Sequence, residues 1–145
     1  IVDNTPILFS VPVGSFEEGM LFSGKDLIKS ITLGDLRVHK GMDFKTKTNA
    51  EVSACYNGTV VEVGKNFYEG NYIKIKHNDE LITIYKSLSD DVKVKLNDVV
   101  KKGDVIGYTS DSMNNEFKEG PHLHLEVIYK NNNINPMDYL EMGDK

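Results

Sequence analysis

The 145-residue chain has one cysteine, no tryptophan, four prolines and a single arginine. One thiol excludes an internal disulfide and any Cys-rich metal cluster. Cys55 therefore reads as a small buried hydrophobe. No apolar run approaches the roughly 18–20 residues that cross a bilayer, and no charged-then-apolar leader opens the sequence. The chain starts Ile1-Val2 rather than with Met, which reads as a piece cut from a longer protein, with any anchor lying outside it. An excess of positive charge is also missing. The formal charge is −5, and there is no basic stripe interleaved with aromatics, so nucleic acid is not expected as a partner. Charged residues at 27% and hydrophobics at 39% are ordinary globular proportions, which excludes collagen-like and wholly disordered chains. The length suits one domain. Sixteen lysines against the lone Arg37, with thirteen asparagines, indicate an AT-rich coding bias rather than a chemistry.

Residues 1–36 carry little pattern. Pro6, Pro12 and Gly14 punctuate short apolar stretches, as in an extended arm lying on a core. Lys25–Ile31 fits a short helix or a strand equally well. From about residue 50 the signal is β. Glu51–Tyr56 and Thr59–Val63 flank Asn57-Gly58, a strong two-residue hairpin signal. Tyr72–His77 and Leu81–Tyr85 flank the polar turn Asn78-Asp79. In Tyr72-Ile73-Lys74-Ile75-Lys76 the isoleucines face one way and the lysines the other, giving a strand with one wet face. Val92–Lys95 repeats that alternation, and Val105–Tyr108 and His122–Tyr129 read as further strands. Residues 110–120 form a polar loop, and Asn135-Pro136 starts a short turn or helix through Leu140. Many short strands between turn residues predict a mostly β fold built on antiparallel sheet.

Three of the four histidines fall in two tight clusters. In His39-Lys40-Gly41-Met42-Asp43, positions i and i+4 of an extended chain share a face, and Gly41 permits a bend that brings imidazole and carboxylate together. In His122-Leu123-His124 the imidazoles share one strand face, while Leu123, Leu125 and Val127 can fill the core from the other. Two His and one Asp are a sensible ligand set for zinc with an open position, which hydrolases use to activate water and polarise a carbonyl. Spacing alone leaves two readings open: a shared metal site, and a set of polar surface histidines. His77 reads as a surface or turn histidine, and the lysines of residues 93–102 as a solvated face.

Several motifs then occur in one order: His39-Lys40-Gly41-Met42-Asp43-Phe44, Asn57-Gly58-Thr59-Val60, Gly70-Asn71-Tyr72, Lys101-Lys102-Gly103-Asp104-Val105-Ile106-Gly107, Gly120-Pro121-His122-Leu123-His124-Leu125-Glu126-Val127 and Asn135-Pro136. This series resembles the M23 zinc endopeptidases of the lysostaphin and LytM type, over about residues 36–140. The resemblance implies an antiparallel β-sheet groove fold, divided as an N-terminal arm (1–35), an M23/LytM-like domain (36–140) and a tail (141–145). It implies Zn2+ held by His39, Asp43 and His124, with His122 as a catalytic histidine beside the metal. It also implies action on peptide bonds of bacterial peptidoglycan.

One departure matters. Where the family places a second catalytic histidine in Tyr-x-His-Leu, this chain reads Tyr85-Lys86-Ser87-Leu88. Losing a group that orients water or stabilises an oxyanion costs about 10² to 10⁴ in rate. Ser87 is also too short to reach the same spot without a bridging water. Asn49 replaces a frequent glycine, and the tryptophan common before the first motif is absent. Retained ligands with a damaged catalytic set resemble the sporulation members of the family. That likeness implies a zinc-binding, catalytically weak ectodomain. It would be anchored in the forespore membrane, face the intermembrane space, and pair during engulfment with stage III sporulation protein AH of the mother cell. An active zinc endopeptidase is the alternative expectation. Biotinyl and lipoyl carrier domains share the Gly103-Asp104-Val105-Ile106 pattern, but the lysine-bearing turn they need is missing.

Overall fold

The computed structural model describes residues 7–24, 28–29 and 36–141. Their strands are β1 (Glu17–Glu18), β2 (Ile28–Lys29), β3 (Leu36–Arg37), β4 (Met42–Lys45), β5 (Glu51–Ser53), β6 (Gly58–Asn66), β7 (Gly70–Lys76), β8 (Leu81–Leu88), β9 (Val99–Val100), β10 (Val105–Tyr108), β11 (His122–Tyr129) and β12 (Asn132–Ile134). Two short 3₁₀ segments, Asn114–Glu119 and Pro136–Asp138, complete the described elements. The main sheet runs β1-β4-β11-β8-β7-β6-β9, with β12 hairpinned onto β11, and its pairings are antiparallel. Strands β5 and β10 make a separate two-stranded sheet.

Period-two alternation puts the core on one side of the main sheet. Met42 and Phe44 of β4, Ile73 and Ile75 of β7, Tyr85 and Leu88 of β8, and Leu123, Leu125 and Val127 of β11 are all fully buried there. Val52 and Ile106 of the small sheet join the same cluster, and so does Cys55. Burial pushes the Cys55 thiol up to about 12, so it stays an inert apolar filler.

Residues 7–24 run along this core. Phe9 is fully buried, stacks on Tyr139 at 5.1 Å, and exchanges backbone bonds with Tyr139 and Glu141. Ser10 and Pro12 bond to the backbones of Cys55 and Ser53. Of Lys25–Ile31, residues 25–27 and 30–31 lie outside the described residues; Ile28–Lys29 pairs with Leu36–Arg37 as strand.

Two expectations are corrected. Asn57-Gly58 does not close a hairpin. The chain changes sheets there, since β5 pairs with β10 while β6 joins β7 and β9. The Asn57 side chain is used to accept from the Lys102 N–H at 2.9 Å, a tertiary bond that overrides the local turn preference. Val92–Lys95 is not a strand either. Its valines do pack against the core, but Lys93 donates to Ile106, Val92 to Asp90 and Lys95 to the Asp98 side chain, so no ladder forms. His77 sits at the turn that follows β7; half-buried, it bonds Thr83 and the Asn57 carbonyl at 2.8 Å and packs on Phe9.

Candidate metal centre

The face of the sheet opposite the main core carries the polar cluster. Antiparallel register sets Asp43 of β4 and Lys86 of β8 directly beside His124 of β11, giving one row across three strands. His122 and Glu126 flank His124 along β11, on the same face by the same alternation. His39 precedes β4, and Gly41 lets its loop press close to β11. A side chain at Gly41 would drive into the Leu125 carbonyl oxygen and lie 2.9 Å from His124 Nε2. Residues 19–23 brace this loop from outside, through the bonds Gly19 N–H to Asp43 O, Asp43 N–H to Met20 O, and His39 N–H to Ser23 Oγ.

The sequence clusters meet. His39 Nε2 is 3.5 Å from Asp43 Oδ1, which is 2.8 Å from His124 Nδ1. His122 Nε2 stands farther off, 4.0 Å from the same oxygen. A fourth residue enters from the 110–120 loop. Glu116 Oε2 lies 3.0 Å from His39 Nε2 and 3.4 Å from His124 Nδ1. Ligand atoms of His39, Asp43, Glu116 and His124 all fall within 4.8 Å of one another.

The outer nitrogens decide what the inner ones can do. His39 Nδ1 faces the Leu21 carbonyl at 3.0 Å, and His122 Nδ1 faces the Gly120 carbonyl at 2.8 Å. His124 Nε2 faces Glu126 Oε2 at 3.0 Å. Those oxygens only accept, so each of these nitrogens carries a proton, and in the neutral ring that a metal needs the opposite nitrogen turns a lone pair inward. Such outer-shell acceptors are what fix a metal-ligating histidine. The inward atoms are then acceptors without exception. Among the described residues, buried Asp43 Oδ2 has no hydrogen-bond partner. Acceptors converging in a buried space require a cation among them, and the residues fit a divalent one.

The titration shifts express the same demand. Burial opposes a charged His39 ring, but hydrogen bonds to Asp43 and Glu116 outweigh it and raise its pKa to about 9. His124 and His122 are raised against burial as well, by the charge of Glu116 and the hydrogen bond to it respectively, with Asp43 adding to both. Glu116 is held far below the usual carboxylate range by His124 and His122, although burial works the other way. Without a metal, protons supply the positive charge.

A family model described as Peptidase family M23 matches residues 37–136. The chain belongs to peptidase family M23. Stage II sporulation protein Q of Bacillus subtilis is 35% identical over 104 residues, covering 70% of this chain and 36% of that protein. The chain spans well under half the length of the curated relatives it matches. Among solved structures, a zinc-containing peptidase from Vibrio cholerae superposes with a TM-score of 0.78 at 32% identity, covering 91% of this chain and 40% of that one. The complex of SpoIIIAH and SpoIIQ contains a chain with a TM-score of 0.71 at 25% identity, covering 93% of this chain and 97% of that one.

Ser87, expected from the resemblance to stand in place of a second histidine, is fully buried at a positive φ of 68°, on a bulge between β7 and β8. Its hydroxyl donates to the Ser110 carbonyl at 2.8 Å, and Ser87 does not line the metal-site cleft of about 300 Å³. Lys86 does. Its ammonium pairs with Glu126 at 2.7 Å and with Glu69, so Glu126 is shared between Lys86 and His124. Sequence reasoning assigned no role to Glu126, Lys86, Glu69 or Glu116. Glu126 carried a usable signal, standing two residues beyond His124 on one strand face. Glu116 carried none, because an irregular loop has no periodicity to read.

Proposed function

We propose that this chain is a zinc-binding, catalytically weak M23 ectodomain that works as an interaction module in a sporulation channel. In this reading His39, Asp43 and His124 hold the zinc, and residues 1–35 are an arm on the 36–140 domain. The ectodomain faces the intermembrane space from the forespore membrane. Among the described residues no helix is long and apolar enough to cross a membrane. The partner is a membrane-anchored protein of the SpoIIIAH type. The observation that carries the reading is Ser87. Its hydroxyl is spent on the Ser110 carbonyl, so nothing at that position reaches into the cleft as a second histidine would. Likeness to the Bacillus subtilis sporulation protein supports the biological setting.

When bound, zinc would supply Lewis acidity and activate water. The residues of this chain divide the rest. His39, Asp43 and His124 offer the ligand atoms; the Leu21 carbonyl and Glu126 orient the rings; and His122, whose Nε2 lies 3.0 Å from Glu116 Oε1, is the group beside them that can hold or release a proton.

A second reading, a zinc endopeptidase acting on peptidoglycan peptides, is favoured by that intact His122. Elemental analysis and a peptidoglycan digestion assay separate the two. We expect about one zinc per chain, lost in His39→Ser, no peptide release, and binding to a SpoIIIAH-type ectodomain. Chelator-sensitive peptide release would support the second reading instead. Unchanged zinc content and melting temperature in His39→Ser would refute the ligand assignment. Ser87→His should not by itself produce hydrolysis.

A further inference from the structure

We propose that Glu116 is a fourth protein ligand that closes the metal centre, so that the segment Asn114–Glu119 acts as a plug in the position where a substrate or water would bind. This rests on the zinc reading above and goes beyond it, since three ligands with an open position and four with none are different devices. Catalytic zinc sites keep an open position, and structural ones are closed by four protein ligands.

The geometry meets that distinction at one carboxylate. Glu116 Oε2 stands within 3.5 Å of the inward nitrogens of both His39 and His124. Its other oxygen, Oε1, lies 3.0 Å from His122 Nε2. One side chain thus occupies the fourth place of the ligand cluster and also takes up the histidine that would serve substrate. The side chain is 8% exposed. Its backbone departs from helical geometry at φ −137° and ψ 25°, which breaks the 3₁₀ segment at Glu116 itself. The Glu116 N–H donates to the Met113 carbonyl at 2.9 Å, and Met113 is buried beside the cleft it lines. Charge agrees with the geometry. As metal ligands, two neutral imidazoles and two carboxylates carry −2, which one divalent cation cancels. Asp43 alone would leave a buried site with net positive charge, which favours an exchangeable anion in the fourth position.

Cobalt(II)-loaded protein tests the proposal, with azide as the probe of an exchangeable position. The wild type should take up one cobalt per chain, and its visible d–d absorption should not respond to azide. Glu116→Ala should still bind cobalt, but at least about tenfold more weakly, and its absorption should shift as azide is added. Glu116→Gln, nearly isosteric, guards against loss of the loop's fold and should weaken cobalt binding in the same direction. A wild-type spectrum that shifts with azide as readily as Glu116→Ala would overturn the proposal while leaving the zinc reading intact. So would variants whose spectrum and affinity match the wild type. No cobalt or zinc uptake by the wild type would overturn the underlying zinc reading. Peptidoglycan hydrolysis present in the wild type but abolished in Glu116→Ala would overturn the plug, because the carboxylate would then be working as a base.

Discussion

Replacing Gly41 with alanine should impair metal binding without replacing any ligand. The His39–Asp43 loop crosses β11 at Gly41, where an added Cβ would push into the Leu125 carbonyl oxygen, come 2.9 Å from His124 Nε2 and 3.0 Å from Glu126 Cγ. The first neighbour is backbone hydrogen-bonded in the sheet, so the loop must be the part that yields. Relief requires a movement of roughly half an ångström or more, about the tolerance within which a binding constellation keeps its geometry. His39 and Asp43 lie on either side of the bend and would both move off His124. Overpacking of this kind costs about 1–3 kcal/mol, and the metal affinity should fall about 10–100-fold. Competition with a chromophoric chelator measures the affinity, and urea unfolding of the metal-free protein measures the stability. Affinity within twofold of the wild type would refute the idea that close approach at Gly41 sets the ligand geometry. A drop in stability with no drop in affinity would refute it equally, because the strain would then have been absorbed away from the ligands.

Glu126→Gln keeps an acceptor for His124 but removes the charge shared with Lys86, and should lower metal affinity about 10–100-fold in the same competition assay. An unchanged affinity would mean that the His124 ring is oriented by something else. Phe9→Ala should destabilise the whole fold by about 3–5 kcal/mol in urea unfolding, since its ring is fully buried against Tyr139; a loss under ~1 kcal/mol would show that the 7–24 segment is not part of the cooperative unit. Metal-free protein should also have a defined pH window. The His39 pKa is raised from 6.5 to about 9, so its contribution is complete below pH 6.5 and disappears as pH climbs through 9, about 3 kcal/mol at most. Glu126, depressed to about 2 mainly by His124 against the effect of burial, contributes above pH 4.5 and loses that contribution as pH falls towards 2. Melting temperature should therefore peak between these limits and decline on the alkaline side. Zinc should flatten that alkaline decline by replacing the protons, and a flat metal-free profile from pH 6.5 to 9 would contradict the scheme.

The strands that build the site were legible because their alternation is strict. In β11 Leu123, Leu125 and Val127 alternate as apolar, buried residues, so the sequence alone puts His122, His124 and Glu126 on one face. In β7 the alternating isoleucines and lysines work the same way. Legibility failed where partners are distant. Asn57-Gly58 carries hairpin chemistry, yet β5 and β6 go to different sheets, because their partners β10 and β7 lie on other parts of the chain. Val92–Lys95 alternates as a strand does, yet it meets β10 through the Lys93–Ile106 bond without forming a ladder. Residues 7–24, nearly silent in sequence, brace His39 through Ser23 and Leu21.

The sequence by itself determined which side chains share a face, since a period of two is a property of the extended backbone. It also supplied the ordered motifs that mark an M23 chain. Tertiary structure decided which faces meet. Register across β4, β11 and β8 sets Asp43, His124 and Lys86 in a row, and an aperiodic loop folds back to deliver Glu116 into the cluster. Those are contacts between residues far apart along the chain, fixed by packing and by the demand of buried acceptors for positive charge, and no local pattern encodes them.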